Sequence, residues 1–147
     1  MSKTSTELVR HALNGPTMGT RWSALFFAPT GFDVDAACRA LQLAVDEVDA
    51  QMSAWHRDSD LMRLNRARAG EWVPVPGLLM KVLRLAIAVG KASGGAFDIG
   101  VGDAVSAWGC GRAAADPDLI RTAMTARRVP AHEALEVGDG AVRKRVA

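Results

Sequence analysis

Apolar residues recur between positions 34 and 52 at alternating steps of four and three: Val34, Cys38, Leu41, Val45, Val48 and Met52. This spacing puts all six on one stripe of an α-helix. Asp33 stands where an N-cap belongs, and Arg39, Asp46, Glu47 and Asp49 fall on the opposite face. The stripe is therefore assigned to the core and the charged face to water. Two extended segments precede this helix, residues 7–13 and residues 21–27, the second rich in Trp22, Leu25, Phe26 and Phe27. Asn14, Gly15, Pro16 and Gly19 between them carry turn chemistry, which predicts an antiparallel pair with a long connection.

After a turn over residues 52–57, Ser59 reads as the N-cap of a short second helix carrying Leu61, Leu64 and Ala67 and ending at Gly70. Trp72, Val73 and Val75 form a brief extended segment. Pro76 suits the first turn of a third helix with Leu79, Val82, Leu83, Ala86 and Val89 on its apolar stripe, stopped by Ser93, Gly94 and Gly95. Asp116 and Pro117 open a fourth helix through about Arg127. Residues 135–137 and 141–146, joined by Gly138, Asp139 and Gly140, read as a hairpin. Strands at both ends with helices between them predict an α+β fold, an antiparallel sheet with packed helices, rather than regular βα alternation. With nothing after it to cover it, the strand at 141–146 is expected to be an open sheet edge that invites self-association, as if the chain ended in mid-fold.

The 147 residues, 49% apolar and 23% charged with a formal net charge of +2, suit one globular domain and exclude a large multidomain enzyme. No apolar run is long enough to span a bilayer. Residues 1–10 lack the apolar core and cleavage site of a secretory signal, so a cytoplasmic location is expected for the chain as written. Cys38 and Cys110 have no CxxC spacing and no paired histidines, and are read as buried or incidental thiols. His56 and His132 lack evident partners and read as surface residues. Arg57, Arg63, Arg66 and Arg68, and the run Arg143, Lys144 and Arg145, read as solvated faces: the small net charge and the absence of a recognisable module argue against nucleic acid. The pairs Asp33/Asp35, Asp58/Asp60 and Asp116/Asp118 read as caps and turns, not as metal ligands.

Three segments can carry chemistry. The first is Ser93-Gly94-Gly95-Ala96-Phe97-Asp98-Ile99-Gly100-Val101-Gly102, where glycines open the backbone to a ligand, Ala96 and Phe97 offer an apolar wall, and Asp98 an acceptor. The plain alternative is a helix C-cap followed by a turn in which Asp98 accepts locally. Met18, in Gly15-Pro16-Thr17-Met18-Gly19-Thr20, can pack its thioether on a planar ring, or simply occupy a turn. Trp55, in Met52-Ser53-Ala54-Trp55-His56, can stack on a base or flavin, or cover a helix end.

Thr17-Met18-Gly19-Thr20, Met52-Ser53-Ala54-Trp55 with Asp58-Ser59-Asp60-Leu61 and Asn65, and Ser93-Gly94-Gly95-Ala96-Phe97-Asp98-Ile99 with Val101-Gly102 and Trp108-Gly109 occur in the order and spacing of one family. From about Gly15 to its end, the chain resembles the N-terminal half of the ApbE family, the FAD:protein FMN transferases. The resemblance implies a T-fold-like α+β enzyme that cleaves FAD, releases AMP and attaches FMN to a Thr or Ser hydroxyl of a protein acceptor. It divides the chain into residues 1–14, an N-terminal segment and first strand, and residues 15–147, the N-terminal part of the transferase domain. It also implies flavin contacts from Met18, Trp55, Ala96, Phe97 and Asp98, with Trp55 standing where the family usually has Tyr. Family members are often exported or lipid-anchored. Their DLGGxxKG segment and later GD and Thr elements, which serve FAD, Mg2+ and the reacting phosphate, have no counterpart in these 147 residues. An inactive, truncated transferase is therefore expected, with catalytic and metal residues unassigned; the competing reading is a non-catalytic flavin-nucleotide-binding or protein-interaction module.

Overall fold

The computed structural model describes residues 7–110 and 114–146. They form two compact units, residues 1–50 and 51–147 in numbering, each described here by itself.

The first unit is a long hairpin and most of a helix. Strands β1 (Leu8–Thr17) and β2 (Thr20–Pro29) pair antiparallel without a break from Leu8 opposite Pro29 to Thr17 opposite Thr20. The long connection expected from Asn14, Gly15 and Pro16 is replaced by a two-residue turn, Met18 and Gly19, with φ of 39° and 74°. Left-handed backbone at both central residues matches the twist of the flanking strands, so the ladder runs up to the turn. Gly15 lies inside that ladder because a Cβ there would collide with Gln42 and with the Trp22 indole. Pro16 is tolerated because a two-stranded ribbon leaves alternate N–H groups unpaired.

Helix α1 (Val34–Met52) starts on Asp33, whose Oδ1 accepts the Ala36 N–H at 2.8 Å. Its expected core stripe is only half-buried at all six positions. This corrects the core assignment for the five positions from Val34 to Val48, because a ribbon of two strands has too little surface to enclose a 19-residue helix; Met52, in the second unit, packs against its buried cluster.

The second unit holds the closed core. Helix α2 (Asp60–Arg66) is capped by Ser59, whose hydroxyl accepts from Met62 N and donates to the Ser53 carbonyl at 2.7 Å. Both serines are buried, and Ser53 Oγ in turn accepts from Trp55 N and His56 N. The helix ends at Ala67, not Gly70; Gly70, at φ 84°, instead donates its N–H to the Lys144 carbonyl at 2.7 Å. Strand β3 (Trp72–Pro74) leads into α3 (Gly77–Ala92), then α4 (Gly102–Ala107), α5 (Pro117–Thr125), α6 (Ala131–Ala134), β4 (Leu135–Val137) and β5 (Ala141–Lys144). α4 and α6 are too short to show a period in the sequence. α5 is capped by Asp116 as expected and ends two residues before Arg127.

The sheet order is β3-β5-β4, all antiparallel. The final strand is therefore central, and the edges are β3 and β4, which corrects the expectation of an open edge at 141–146. Val142 in β5 is fully buried and joins Leu64, Val73, Val75, Leu79, Met80 and Leu83 in one cluster. On α3 the buried positions are Leu79, Met80, Leu83, Ala86 and Gly90, while the expected Val82 and Val89 are 48% and 40% exposed. Leu79, Leu83 and Ala86 are buried as expected, and Gly90, invisible to a hydrophobicity pattern, stands on the buried face in place of Val89.

Cys38 is half-buried and Cys110 exposed, both as free thiols. The arginines are less free than a solvated face implies: Arg63 donates to the Pro74 carbonyl, Arg66 to that of Arg57, and Arg143 pairs with Glu136 while lying 4.8 Å above the Trp72 ring. Among the described residues no helix is long and apolar enough to cross a membrane.

Leu79 is 2% exposed at the centre of the cluster. Leu79→Ala is expected to cost about 2–5 kcal/mol, read as a fall in the urea midpoint, whereas Leu85→Ala, at a position 67% exposed, should change it little.

Candidate functional site

In the first unit, the turn carrying Met18 is fixed to α1 by one glutamine. Gln42 Oε1 accepts the Trp22 indole N–H at 2.8 Å, and Gln42 Nε2 donates to the Pro16 carbonyl at 3.1 Å and to Asp46 Oδ1 at 2.7 Å. The amide is thus used at both ends, and the base of the turn has one position relative to the helix. Met18 itself is half-buried at the tip.

Trp55, Ala96, Phe97 and Asp98 belong to the second unit. Trp55 follows the Ser53 turn and is 41% exposed. The glycine-rich segment begins where α3 stops: Ser93 N bonds the Val89 carbonyl, and Gly95 N bonds that of Gly90, with Gly94 and Gly95 at φ of 60° and 85°. Ser93 Oγ accepts the Phe97 N–H at 3.0 Å. Ala96 and Phe97 are exposed, Phe97 by 44%.

Asp98 is the anchor of this segment. Its Oδ1 accepts from Gly100 N at 2.8 Å and from Ala131 N at 3.0 Å. The local half of this arrangement is the Asx turn that the sequence allows. The other half, to the first residue of α6, has no sequence signal because the partner is 33 residues away and contributes only backbone. Asp98 thus fixes the shape of the loop that presents Phe97.

Ile99 and Gly100, next along the loop, line a cavity of about 400 Å³ with Leu61, Leu64, Leu135 and Val146. Asp103 and Arg128 also line it, joined by two contacts, Arg128 Nε to Asp103 Oδ1 at 3.2 Å and Nη2 to Oδ2 at 2.6 Å. Neither Trp55 nor Phe97 lines this cavity. The Arg128 hydrogen bond holds the Asp103 carboxyl below its ordinary range, and Asp103 raises the guanidinium in return. His132 is not the surface residue expected: its side chain is 14% exposed, and its Nδ1 is buried without a hydrogen-bond partner among the described residues. His56 is exposed, as expected. Among the described residues no three His, Cys, Asp or Glu side chains come together as a metal ligand set. Gln42 in the first unit and Arg128 in the second are fastening residues that motif reading missed.

Asp98→Ala is expected to destabilise the fold by about 1.5–3 kcal/mol, the range for hydrogen bonds to a charged group, and Asp98→Asn, which keeps an acceptor, by less than half of that; thermal denaturation measures both. Because its folded pKa is depressed, Asp103 contributes stability above its unfolded value of about 4, and this is lost as the pH falls through the lower folded value. The melting temperature should therefore drop below about pH 4, with a smaller drop in Arg128→Ala.

The model of the ApbE family matches residues 18–146. The FAD:protein FMN transferase of Vibrio cholerae is 35% identical over 114 residues, covering 75% of this chain and 33% of that protein. That of Klebsiella pneumoniae is 34% identical over 99 residues, covering 67% and 28%. Among solved structures, the flavin transferase ApbE from Vibrio cholerae superposes with a TM-score of 0.79 at 25% identity, over 95% of this chain and 46% of that one. The apo flavinyl transferase ApbE of Pseudomonas stutzeri shares the fold, with a TM-score of 0.75 at 21% identity, over 99% and 47%. The chain thus spans about a third of the length of the curated relatives it matches and about half of the solved structures. With its family match running through nearly all of the described residues and its α+β fold shared with these transferases, the chain belongs to the ApbE family.

Proposed function

We propose that these residues supply the flavin-facing part of an FAD:protein FMN transferase, which moves FMN from FAD to a Thr or Ser hydroxyl of a protein acceptor and releases AMP. The observation that carries this reading is a loop with a fixed backbone and an exposed ring: Asp98 and Ser93 tie down the segment from both sides, and Phe97 remains 44% exposed between them. A ring held this way stacks on another ring at little entropic cost, and flavin offers such a ring. Trp55, also largely exposed, supplies a second aromatic face, and its indole N–H can donate but not accept. Met18 adds a polarizable thioether on a turn whose base Gln42 holds. Ala96, before Phe97, keeps the approach to the loop open. Asp98 acts through the loop, since its Oδ1 is engaged by two backbone N–H groups.

In this reaction the acceptor oxygen bonds to the phosphorus of the FMN moiety as the pyrophosphate bond to AMP breaks, and the hydroxyl proton is lost. Negative charge grows on the phosphate oxygens and leaving group. The part argued for this chain is binding and orientation of the flavin end, with residues 15–147 as the N-terminal part of the transferase domain.

Titration with FAD should give saturable quenching of tryptophan fluorescence. Stacking on Phe97 is worth about 0.5–1.5 kcal/mol, so Phe97→Ala should weaken binding about two- to thirteenfold while leaving the melting temperature near that of the parent. Mixed with FAD, Mg2+ and a Thr-bearing acceptor protein, the 147 residues alone should transfer nothing. An acceptor that gains the mass of FMN less one water, the increment of a phosphoester, refutes the assignment of this chain to binding alone, and absence of any quenching refutes the flavin reading.

A further inference from the structure

In the stretch that joins α1 to α2, Ser53 and Ser59 are closed to solvent, at 0% and 2% exposure, and every residue between them, from Ala54 to Asp58, is exposed. The two serines are joined directly: Ser59 Oγ donates to the Ser53 carbonyl at 2.7 Å. The same Ser59 hydroxyl accepts the Met62 N–H at 3.2 Å, in the first turn of α2, so the Ser53 carbonyl is tied to a helix. On its other side, Ser53 Oγ accepts two consecutive backbone N–H groups, that of Trp55 at 3.1 Å and that of His56 at 3.3 Å. The His56 carbonyl accepts the Ser59 N–H at 3.2 Å, and Arg66 donates to the Arg57 carbonyl. A chain of hydrogen bonds therefore runs from the first turn of α2, through two buried hydroxyls, to the backbone N–H of Trp55, whose side chain is 41% exposed.

A buried hydroxyl carries a desolvation cost that an alanine avoids, so what it bonds to shows what it is for. Ser59 caps a helix. The two N–H groups on Ser53 Oγ both belong to the loop itself, and neither fastens one core element to another. Their effect is on the course of the main chain: successive N–H groups that converge on one oxygen bend the backbone around Ser53. The Cα of Trp55 then stands on a support that leads back to α2. A ring mounted in this way loses less freedom when a second ring stacks on it. We propose that Ser53, held by Ser59, is a positioning residue for Trp55: its hydroxyl fixes the direction in which the indole is presented to the flavin. The functional consequence rests on the flavin reading above, and the fixed backbone at Trp55 does not.

The test asks whether Ser53 acts through Trp55. FAD affinity is read from the anisotropy of the flavin's own fluorescence, so that tryptophan variants can be compared. Ser53→Ala should weaken FAD binding by about threefold or more, whereas in a Trp55→Ala background the same change should leave affinity within about 1.5-fold. Val142→Ala opens the core at a fully buried position of β5 and leaves the serine hydrogen bonds in place; it should melt below the parent yet bind FAD as the parent does. Ser53→Cys keeps a similar volume with a weaker acceptor, and it replaces Ser53→Ala in the comparison where the alanine variant does not fold. Parent-like affinity in the Ser53 variant, or the same loss with and without the Trp55 ring, overturns the proposal. If the parent itself shows no saturable binding, the flavin reading fails and the claim about the backbone is decided by amide hydrogen exchange at Trp55 and His56. Exchange about fivefold or more faster in the Ser53 variant than in Val142→Ala supports it, and equal rates overturn it.

Discussion

The Asp98 carboxylate ties a loop rich in glycine to the start of a four-residue helix 33 residues further along the chain. A loop with two consecutive left-handed glycines has many conformations open to it, and freezing them costs entropy that the loop's few apolar contacts cannot offset. A charge-assisted bond to Ala131 N, the bond to Gly100 N and the Ser93 hydroxyl on Phe97 N close off most of these alternatives. The result is a rigid support for an exposed ring. Without Asp98 the same residues would still form a turn after α3, but Phe97 would not be held in one place.

A related economy operates at the hairpin. Residues with positive φ are poor strand formers, so Met18 and Gly19 confine the reversal to two positions and leave ten-residue strands on either side. The ladder then delivers Trp22 to Gln42, and Gln42 to the Pro16 carbonyl. Gly15 is required not for its backbone freedom but for its missing side chain, because the indole and the amide occupy that space. Here a glycine makes room for side chains from two other elements, and these set the geometry of the adjacent motif.

This is also where the sequence was readable and where it was not. The helices with a clear period, α1 and α3, and the capped starts at Asp33, Ser59 and Asp116 were legible, because periodicity and capping are local. So were β3 and the hairpin of β4 and β5. Three things were hidden. Glycines at 90 and 15 sit at close contacts that a hydrophobicity pattern does not register, and so the buried face of α3 was drawn without Gly90 and the connection of the first hairpin was made too long. Strand order is a long-range property: β5 pairs with β3 from residues 72–74, and nothing near residue 141 announces it. The partners of Asp98 and Arg128 are distant, one of them backbone, so motif reading found the loop without its fastening.

The glycine motif has a physical division of labour that its spelling conceals. Of its residues, Ser93 Oγ and Asp98 Oδ1 accept from backbone N–H groups, and Gly94 and Gly95 supply conformations that other residues adopt only with strain. Ala96 and Phe97 are exposed and carry none of these hydrogen bonds through their side chains. On the flavin reading proposed above, a substitution at Asp98 is expected to act on binding indirectly, by loosening the loop, and one at Phe97 directly, with the support intact. Loss of affinity that tracks loop rigidity then belongs to the support, and loss at constant rigidity to the ring.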